Sequence, residues 1–270
     1  MQILKNAQVV TDLSFQDRAF HYGDGCFTTA RIRDGVIELE SRHIARLKLA
    51  AEKLYLNVNL DLINESLKRL KETNISLSGT LKILISRGEG QRGYSLPSHA
   101  ADLWMFFYPK DVENFQYELI DTGVLSQSIG LAMPNLVGIK SLNRLEQVLL
   151  KQEADQKKWG EALVTDVQGA IVEGISSNCF IRINNSWITP ELRYNGIHGV
   201  MRAEILTRMQ HHGIHCEKRF VDMDEIPNIQ SLFFCNALSP MKIASALDQE
   251  TLDTQTCIDL FHHLQLNQIR

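Results

Sequence analysis

A single lysine interrupts the apolar segment Leu136-Val137-Gly138-Ile139-Lys140-Ser141-Leu142-Asn143. Taken alone, a lysine is expected on the surface, because a buried ammonium group is costly without a function. The apolar lead-in instead favours a lysine that points from the end of a strand into a protein cavity. Desolvation there lowers the pKa of an amine and frees its lone pair to attack an aldehyde. Lys140 is therefore a candidate Schiff-base residue.

Glu173, further along the chain, is a second candidate site residue. Glu173 ends a strand-like segment and is followed by the turn Gly174-Ile175-Ser176-Ser177. One interpretation leaves this carboxylate in water at the strand end. The other pairs it with a protonated pyridine nitrogen, which keeps such a ring an electron sink. Asn178 could brace this site or simply hold the turn, and the sequence leaves both interpretations open.

Two further features could bind an anion. The segment Gly196-Ile197-His198-Gly199-Val200-Met201-Arg202 enters a predicted helix through glycines, which leaves backbone N–H groups and a positive dipole end for a phosphate. Arg46, on a helix predicted to begin with Ser41 as its N-cap, could add a bidentate charged contact. Neither feature is specific alone, since an arginine on a helix is ordinarily solvated. No histidine pair has the spacing of a metal site with a carboxylate partner, so no metal is predicted.

Composition limits the classes of protein that fit. The chain has 270 residues, of which 44% are hydrophobic and 22% charged, and its net charge is −4. These values indicate a globular protein with one large core or two modest ones and no positive field for nucleic acid. The first 20 residues carry polar or charged side chains every few positions. We therefore expect a cytoplasmic protein with no membrane segment and no nucleic-acid partner.

The alternation of strand-like and helix-like segments predicts an α/β (α+β) chain with two domains. The stretch from 108 to 114 combines a proline with mixed charge, as is typical of a linker. We predict a small N-terminal α+β domain at residues 1–110. A larger C-terminal domain, residues 111–270, is predicted to carry Lys140.

Four features of the chain recur in the same order in the class-IV aminotransferases. They are His43-Ile44-Ala45-Arg46-Leu47, Lys140, Glu173 with Asn178, and Gly199-Val200-Met201-Arg202. The chain resembles that family over nearly its whole length. The resemblance implies a two-domain, fold-type-IV enzyme that binds pyridoxal 5′-phosphate (PLP) in the interdomain cleft, acts on a small-molecule substrate and forms a homodimer. It also implies that Arg46, the backbone of Val200 and Met201, and the turn Asn236-Ala237-Leu238 hold the cofactor phosphate.

Within the family, the chain is most similar to the aminodeoxychorismate lyases, in segments 20–31, 87–95, 140–149 and 235–238. This similarity implies conversion of 4-amino-4-deoxychorismate to 4-aminobenzoate and pyruvate, a step of folate biosynthesis. The alternatives are D-amino-acid and branched-chain aminotransferases. Two positions argue against these alternatives. By the resemblance, a branched-chain enzyme would carry a tyrosine where this chain has Leu145. A D-specific enzyme would carry Arg-x-His where this chain has Arg92-Gly93-Tyr94. A silent PLP-binding scaffold is disfavoured, since binding alone would not require both Lys140 and Glu173.

The substrate that the similarity implies has two carboxylates, so cationic side chains are expected to bind it. Arg92, in a glycine-rich loop, and Arg144, beside the lysine segment, are the candidates. Arg144 could instead pair with Glu146 or lie in solvent. Thr28 and Thr29 could offer hydroxyls to the substrate or to the departing pyruvate. Lys140 is implied as the base that removes the proton from the amine-bearing carbon.

Overall fold

The structure is a computed structural model that describes residues 1–74 and 76–270. Contacts along the chain divide it into two units. Unit 1 comprises Met1–Glu113, Ile139–Asn143 and Arg270, and unit 2 comprises Asn114–Gly138 and Arg144–Ile269. Each unit contains both helices and a β-sheet, which confirms the predicted α/β class.

Unit 1 is built on an antiparallel sheet with helices beside it. Its strands are β1 (Gln2–Lys5), β2 (Gln8–Val9), β3 (Gly25–Arg33), β4 (Val36–Ile37), β5 (Gly79–Ser86) and β6 (Asp102–Pro109), in the order β2-β1-β6-β5-β3-β4. Its helices are α1 (Arg18–Tyr22), α2 (Glu40–Lys53) and α3 (Leu62–Thr73). Alternate residues of β3 and β5 are buried, as expected for strands with one face on a core. The helices bury residues at helical spacing, including Leu47 and Leu70, against the same core.

Helix α2 begins one residue before the predicted N-cap, Ser41. The residue that caps it is Leu39, which has a left-handed conformation with φ of 55°. Its carbonyl oxygen accepts the N–H groups of Arg42 and His43 at 3.0 and 3.1 Å. The start of the helix is therefore defined by backbone geometry after the β3–β4 hairpin, and the predicted side-chain cap at Ser41 was wrong.

Unit 2 is built on a mixed sheet. Its strands are β7 (Glu118–Thr122), β8 (Leu163–Thr165), β9 (Ile171–Gly174), β10 (Asn178–Ile183), β11 (Ser186–Pro190), β12 (Cys216–Arg219), β13 (Ser231–Asn236), β14 (Ser239–Leu247) and β15 (Glu250–Thr251). The main sheet has the order β12-β11-β10-β13-β14-β15, β7 joins β14 in parallel, and β8 pairs with β9. The helices are α4 (Leu145–Gln156), α5 (Val200–His211) and α6 (Gln255–His263). Phe180 stacks on Phe233 across β10 and β13, with ring centroids 4.8 Å apart, and both side chains are fully buried.

The position of the Lys140 segment differs from the predicted domain division at residues 110 and 111. The contacts divide the chain between Glu113 and Asn114, and they group residues 139–143 with unit 1 instead of the larger unit. The physical reason is main-chain pairing with β3. Phe27 donates its N–H to the Lys140 carbonyl at 3.0 Å, and Leu142 donates its N–H to the Gly25 carbonyl at 3.1 Å.

Across residues 1–74 and 76–270, we find no helix with the length and apolar character needed to cross a bilayer. Within the same ranges, no group of three or more His, Cys, Asp or Glu side chains is placed to hold a metal ion.

Candidate active site

Lys140 lies in an extended segment beside β3, and not at the end of a strand as the sequence predicted. Its neighbour Ser141 forms an isolated bridge with Cys26, and its own carbonyl accepts the Phe27 N–H. The Lys140 side chain is partly buried, and its Nζ lies 4.9 Å from the centroid of the Phe27 ring. The main-chain bonds fix where the side chain starts, and the Phe27 ring covers one side of the amine.

Arg46 is held by a buried threonine, which also bonds a buried histidine. Arg46 Nη2 donates to Thr28 Oγ1, which lies 2.6 Å from His43 Nδ1. Arg46 Nε and His43 Nε2 are also buried, and neither has a hydrogen-bond partner among the described residues. A buried guanidinium with an N–H still to be paired is suited to an anion such as a phosphate.

Burial sets the charges in this cluster. It lowers the pKa of the Arg46 guanidinium to about 10, which leaves that group charged at neutral pH. Burial and, secondarily, the charge of Arg46 lower the pKa of His43 to about 3. His43 is therefore neutral at neutral pH, so the cluster carries one positive charge, on Arg46.

The residues predicted to bind substrate in unit 1 differ in their surroundings. Thr28 is fully buried with its hydroxyl committed to Arg46 and His43, an arrangement that suits support of Arg46 better than contact with substrate. Thr29 is partly buried and lies opposite Lys82 of β5. Arg92 is exposed. Its loop is anchored through the following residue, whose carbonyl accepts Arg18 Nη1 at 2.8 Å.

Glu173 lies in β9 and is buried, with only 5% of its surface exposed. Its Oε2 accepts the backbone N–H of Ile197 at 3.0 Å and the Asn178 Nδ2 group at 3.1 Å. Asn178 Nδ2 also donates to the Ile197 carbonyl at 2.9 Å. Of the two interpretations of Asn178, this geometry favours bracing of the carboxylate. The solvent-exposed interpretation of Glu173 does not describe the structure.

Arg144 immediately precedes α4 and is partly buried. Burial lowers the pKa of its guanidinium, whereas the negative charges of Glu173 and Glu146 act in the opposite direction. Arg144 therefore lies in the electrostatic field of Glu173 and helps to balance its charge within unit 2.

Helix α5 presents an uncapped N-terminus. Gly199 is its N-cap and has no side chain to satisfy the first-turn N–H groups, which include those of Val200 and Met201. A Cβ on Gly199 would overlap Asn178 Oδ1, so a glycine is required beside the brace of Glu173. Arg202 anchors the helix to β11, because its Nη2 donates to the Pro190 carbonyl at 2.8 Å.

The turn between β13 and β14 is shaped by its own asparagine. Asn236 Oδ1 accepts the N–H groups of Leu238 and Ser239, both at 3.0 Å. Ala237 lies between Asn236 and Leu238 in this turn. Asn236 Nδ2 donates to Ser177 Oγ at 3.2 Å. This bond connects the turn predicted to bind phosphate with the turn that follows Glu173.

Sequence reasoning missed several residues of these clusters. His43 had a usable signal, because its spacing of three from Arg46 places both on one face of a helix. Ser177 and Glu161 had none, since their roles depend on contacts between separate segments. Glu161 is 2% exposed and its carboxylate accepts the Ser177 hydroxyl at 2.8 Å.

The chain is similar to known proteins of one family. A family model described as "Amino-transferase class IV" matches residues 25–246. The chain is 30% identical over 236 residues to an aminodeoxychorismate lyase from Vibrio harveyi, with 84% of each protein covered. It is 23% identical over 254 residues to a D-alanine aminotransferase from Bacillus licheniformis, which covers 93% of this chain and 88% of the relative. The crystal structure of 4-amino-4-deoxychorismate lyase from Pseudomonas aeruginosa superposes with a TM-score of 0.84 at 29% identity, covering 96% of this chain and 98% of that one.

Proposed function

The chain belongs to the class IV aminotransferase family, whose members use PLP, and we propose that it is a lyase that converts 4-amino-4-deoxychorismate to 4-aminobenzoate and pyruvate. The observation that carries this proposal is the similarity to two lyases of that activity, one by sequence and one by structure. The lyase motifs and the buried, braced Glu173 support it as well.

The donor set in each unit suits PLP. In unit 1, Lys140 supplies the amine and Arg46 supplies a buried guanidinium with an unpaired N–H. In unit 2, the Glu173 carboxylate suits a protonated ring nitrogen. The uncapped start of α5 at Val200 and Met201 and the turn at Asn236 and Ala237 suit phosphate oxygens. That one cofactor engages both groups of residues stays a prediction.

PLP, when bound, supplies an aldehyde for the amines of the enzyme and the substrate and a ring that accepts electrons. Lys140 Nζ would hold the cofactor through that aldehyde and would act as the base that takes the proton from the amine-bearing carbon of the substrate. Glu173 holds a negative charge beside the ring nitrogen, and Asn178 and Ile197 keep that carboxylate oriented.

Removal of this proton from the substrate accounts for both products. When the adjacent enolpyruvyl group then leaves, as pyruvate, the substrate ring becomes aromatic, and this aromatisation drives the reaction forward. The proposed contacts to the two substrate carboxylates are Arg92 and Arg144, and Thr29 could offer its hydroxyl. The Lys140 amine would also be the group that displaces the product 4-aminobenzoate.

The similarity to a D-alanine aminotransferase supports one alternative, a transaminase of the same family. A transaminase leaves the cofactor in its amine form after the first half-reaction and needs an oxo acid to restore the aldehyde form, whereas a lyase ends every cycle with the aldehyde form. We therefore expect the visible absorption of the holoprotein to persist through many turnovers of 4-amino-4-deoxychorismate without an oxo acid. Conversion to the amine form after one turnover, reversed by 2-oxoglutarate, would support the transaminase.

We also propose that the protein is a homodimer. Helix α4 exposes three apolar side chains at helical spacing, Leu145, Val148 and Leu149, with 71%, 63% and 48% of their surfaces accessible in the single chain. A contiguous apolar face of this kind is typical of a protein–protein contact. A second copy of the chain is the partner that the family resemblance implies.

A further inference from the structure

The turn between Glu173 and Asn178 separates the proposed pyridine-binding carboxylate from the residue that braces it. It spans residues 174–177 and is closed by the Gly174 N–H, which donates to the Ser177 carbonyl at 2.7 Å. Any change in this turn would alter the direction in which β10 starts, and with it the position of the Asn178 side chain. The geometry of Glu173 therefore depends on how firmly the turn is held.

One buried carboxylate, that of Glu161, holds the turn. Its Oε1 accepts the backbone N–H groups of Ile175 and Ser176 at 2.6 and 3.3 Å. Its Oε2 accepts the hydroxyls of Ser176 and Ser177 at 2.9 and 2.8 Å. Two backbone and two side-chain donors of the turn thus converge on a residue that is 2% exposed, and the N–H of the neighbouring Ala162 also points to Oε1, at 3.4 Å. Charge-assisted bonds of this type are the stronger kind, and each is directional.

Strand pairing sets the position of the main chain beside Glu161. The β8–β9 pairing places Leu163, two residues after Glu161, opposite Gly174, and so brings the Glu161 carboxylate to the turn. The Glu161 carbonyl accepts the hydroxyl of Thr122, at the end of β7, at 2.7 Å, and this bond does not involve the carboxylate.

The contacts continue beyond the turn. Ser177 Oγ, which donates to Glu161, also accepts Asn236 Nδ2 at 3.2 Å. Asn236 in turn shapes the turn that contains Ala237, through its bonds to the N–H groups of Leu238 and Ser239. One carboxylate is thus connected to both the Glu173 brace and the predicted phosphate turn.

We propose that Glu161 is a positioning residue for the cofactor, which fixes Glu173 through the turn at 174–177 and the Asn236 turn through Ser177. The proposal rests on the cofactor role proposed for Glu173. Glu161 does not contact the cofactor in this account. It sets the geometry of the residues that do.

The test compares three variants and reads cofactor binding instead of turnover. Glu161→Ala removes the four bonds that the carboxylate accepts from the turn and leaves the buried Ile175 N–H without its partner. We therefore expect the dissociation constant for PLP, titrated into the apoprotein, to rise about tenfold or more. Glu161→Gln keeps one acceptor oxygen for the backbone N–H groups. The oxygens of the two serine hydroxyls can then accept the N–H groups of the glutamine amide. We therefore expect a rise of only about threefold. The matched control, Thr122→Val, removes a buried hydrogen bond of Glu161 but keeps its carboxylate.

The control separates positioning from general stability. Thr122→Val should lower the melting temperature without changing PLP affinity, whereas Glu161→Ala should also shift the visible absorption band and its pH titration towards those of Glu173→Gln. An unchanged dissociation constant and spectrum in Glu161→Ala, or equal losses in Thr122→Val, would overturn the proposal. If Glu161→Ala does not fold, Glu161→Gln and Ser177→Ala decide the question. We expect each to weaken PLP binding about threefold, and wild-type values in both would overturn it.

The variant Glu173→Gln separates the role proposed for Glu161 from the role proposed for Glu173. If Glu173→Gln leaves the spectrum and its titration unchanged, the role proposed for Glu173 is wrong. If Glu173→Gln alters them and the Glu161 variants do not, only the positioning role is wrong.

Discussion

The carboxylate of Glu173 is held by two donors that come from separate segments, Asn178 and Ile197, in a place that excludes most solvent. Its negative charge is the property that the proposed chemistry needs. Glu173→Gln keeps the size of the side chain and one oxygen that can accept from both donors, but it removes that charge. We expect turnover to fall about 100-fold or more, as for other losses of a preorganised charge, while PLP still binds. The control is Glu191→Gln, at an exposed position of the same unit, which should leave turnover unchanged. Equal turnover in both variants would contradict the role of Glu173.

His43 gives a stability prediction with a definite sign. Burial lowers its pKa from the ordinary 6.5 to about 3 in the folded protein, so between these values the unfolded chain binds a proton that the folded chain does not. The free energy of unfolding should therefore fall as the pH falls below about 6, by about 1.4 kcal/mol per pH unit from this one group. Urea unfolding at pH 7, 6 and 5 measures the slope.

His43→Asn keeps a polar group near Thr28 but cannot take up the proton, so its slope should be smaller by that amount. His215→Gln, at an exposed histidine, should retain the wild-type slope. If His43→Asn and wild type lose stability in parallel, protonation of His43 is not the cause.

At the scale of single elements, the entry to α5 depends on the absence of a side chain at Gly199. A Cβ there would overlap Asn178 Oδ1, so Gly199→Ala must displace the brace of Glu173. We expect a loss of about 1–3 kcal/mol of unfolding free energy and weaker PLP binding. Denaturant unfolding and PLP titration measure the two effects. At Gly130 an added Cβ meets nothing within 4 Å, so Gly130→Ala should change neither quantity, and similar losses in both variants would contradict the steric explanation.

Several helices could be read from the sequence. The residue pattern predicts a helix from about Val200 to His211, which coincides with α5, and one from Arg144 to Lys157, which differs from α4 by one residue at each end. The start of α2 could not be predicted, because the left-handed Leu39 that begins it has no sequence signature. The Lys140 segment was placed at a strand end for a similar reason, since its pairing with β3 joins residues more than a hundred positions apart.

The candidate site shows the same division between local and non-local information. The family and its cofactor followed from ordered motifs, and both are confirmed by the family match. Supporting residues such as Glu161 and Ser177 could not be found, because their hydrogen bonds link segments that the sequence does not show to be neighbours. Thr28 was selected as a substrate residue from its place after a glycine turn. Its burial beside Arg46 depends on how α2 packs against β3.

At the scale of the whole molecule, the proposed homodimer predicts a specific sensitivity of α4. Val148→Asp places a charge in the apolar face that we expect to be buried between subunits, which should shift the protein towards monomer. The matched control is Val167→Asp in a turn of the same unit, because Val167 is 66% exposed and Val148 is 63% exposed. Light scattering coupled to size-exclusion chromatography measures the mass. A monomeric wild type, or dimers in both variants, would contradict the assignment of α4 to the interface.

The predicted two-domain organisation depended on a linker pattern near residues 108–114, and the chain's contacts divide close to it, between Glu113 and Asn114. Composition could suggest that division because prolines and charges collect where few contacts cross. It could not suggest that the chain returns to unit 1 for residues 139–143, since that return is defined by backbone hydrogen bonds to β3.

The products formed from 4-amino-4-deoxychorismate distinguish a lyase from a transaminase. Purified holoprotein is incubated with 4-amino-4-deoxychorismate and no oxo acid, and 4-aminobenzoate and pyruvate are quantified against substrate consumed. We predict that both products form in equimolar amounts, and that Lys140→Ala forms neither at a comparable rate because it lacks the group that moves the proton. Absence of 4-aminobenzoate, together with robust amino transfer from D-alanine or a branched-chain amino acid to 2-oxoglutarate, would contradict the lyase and identify a transaminase.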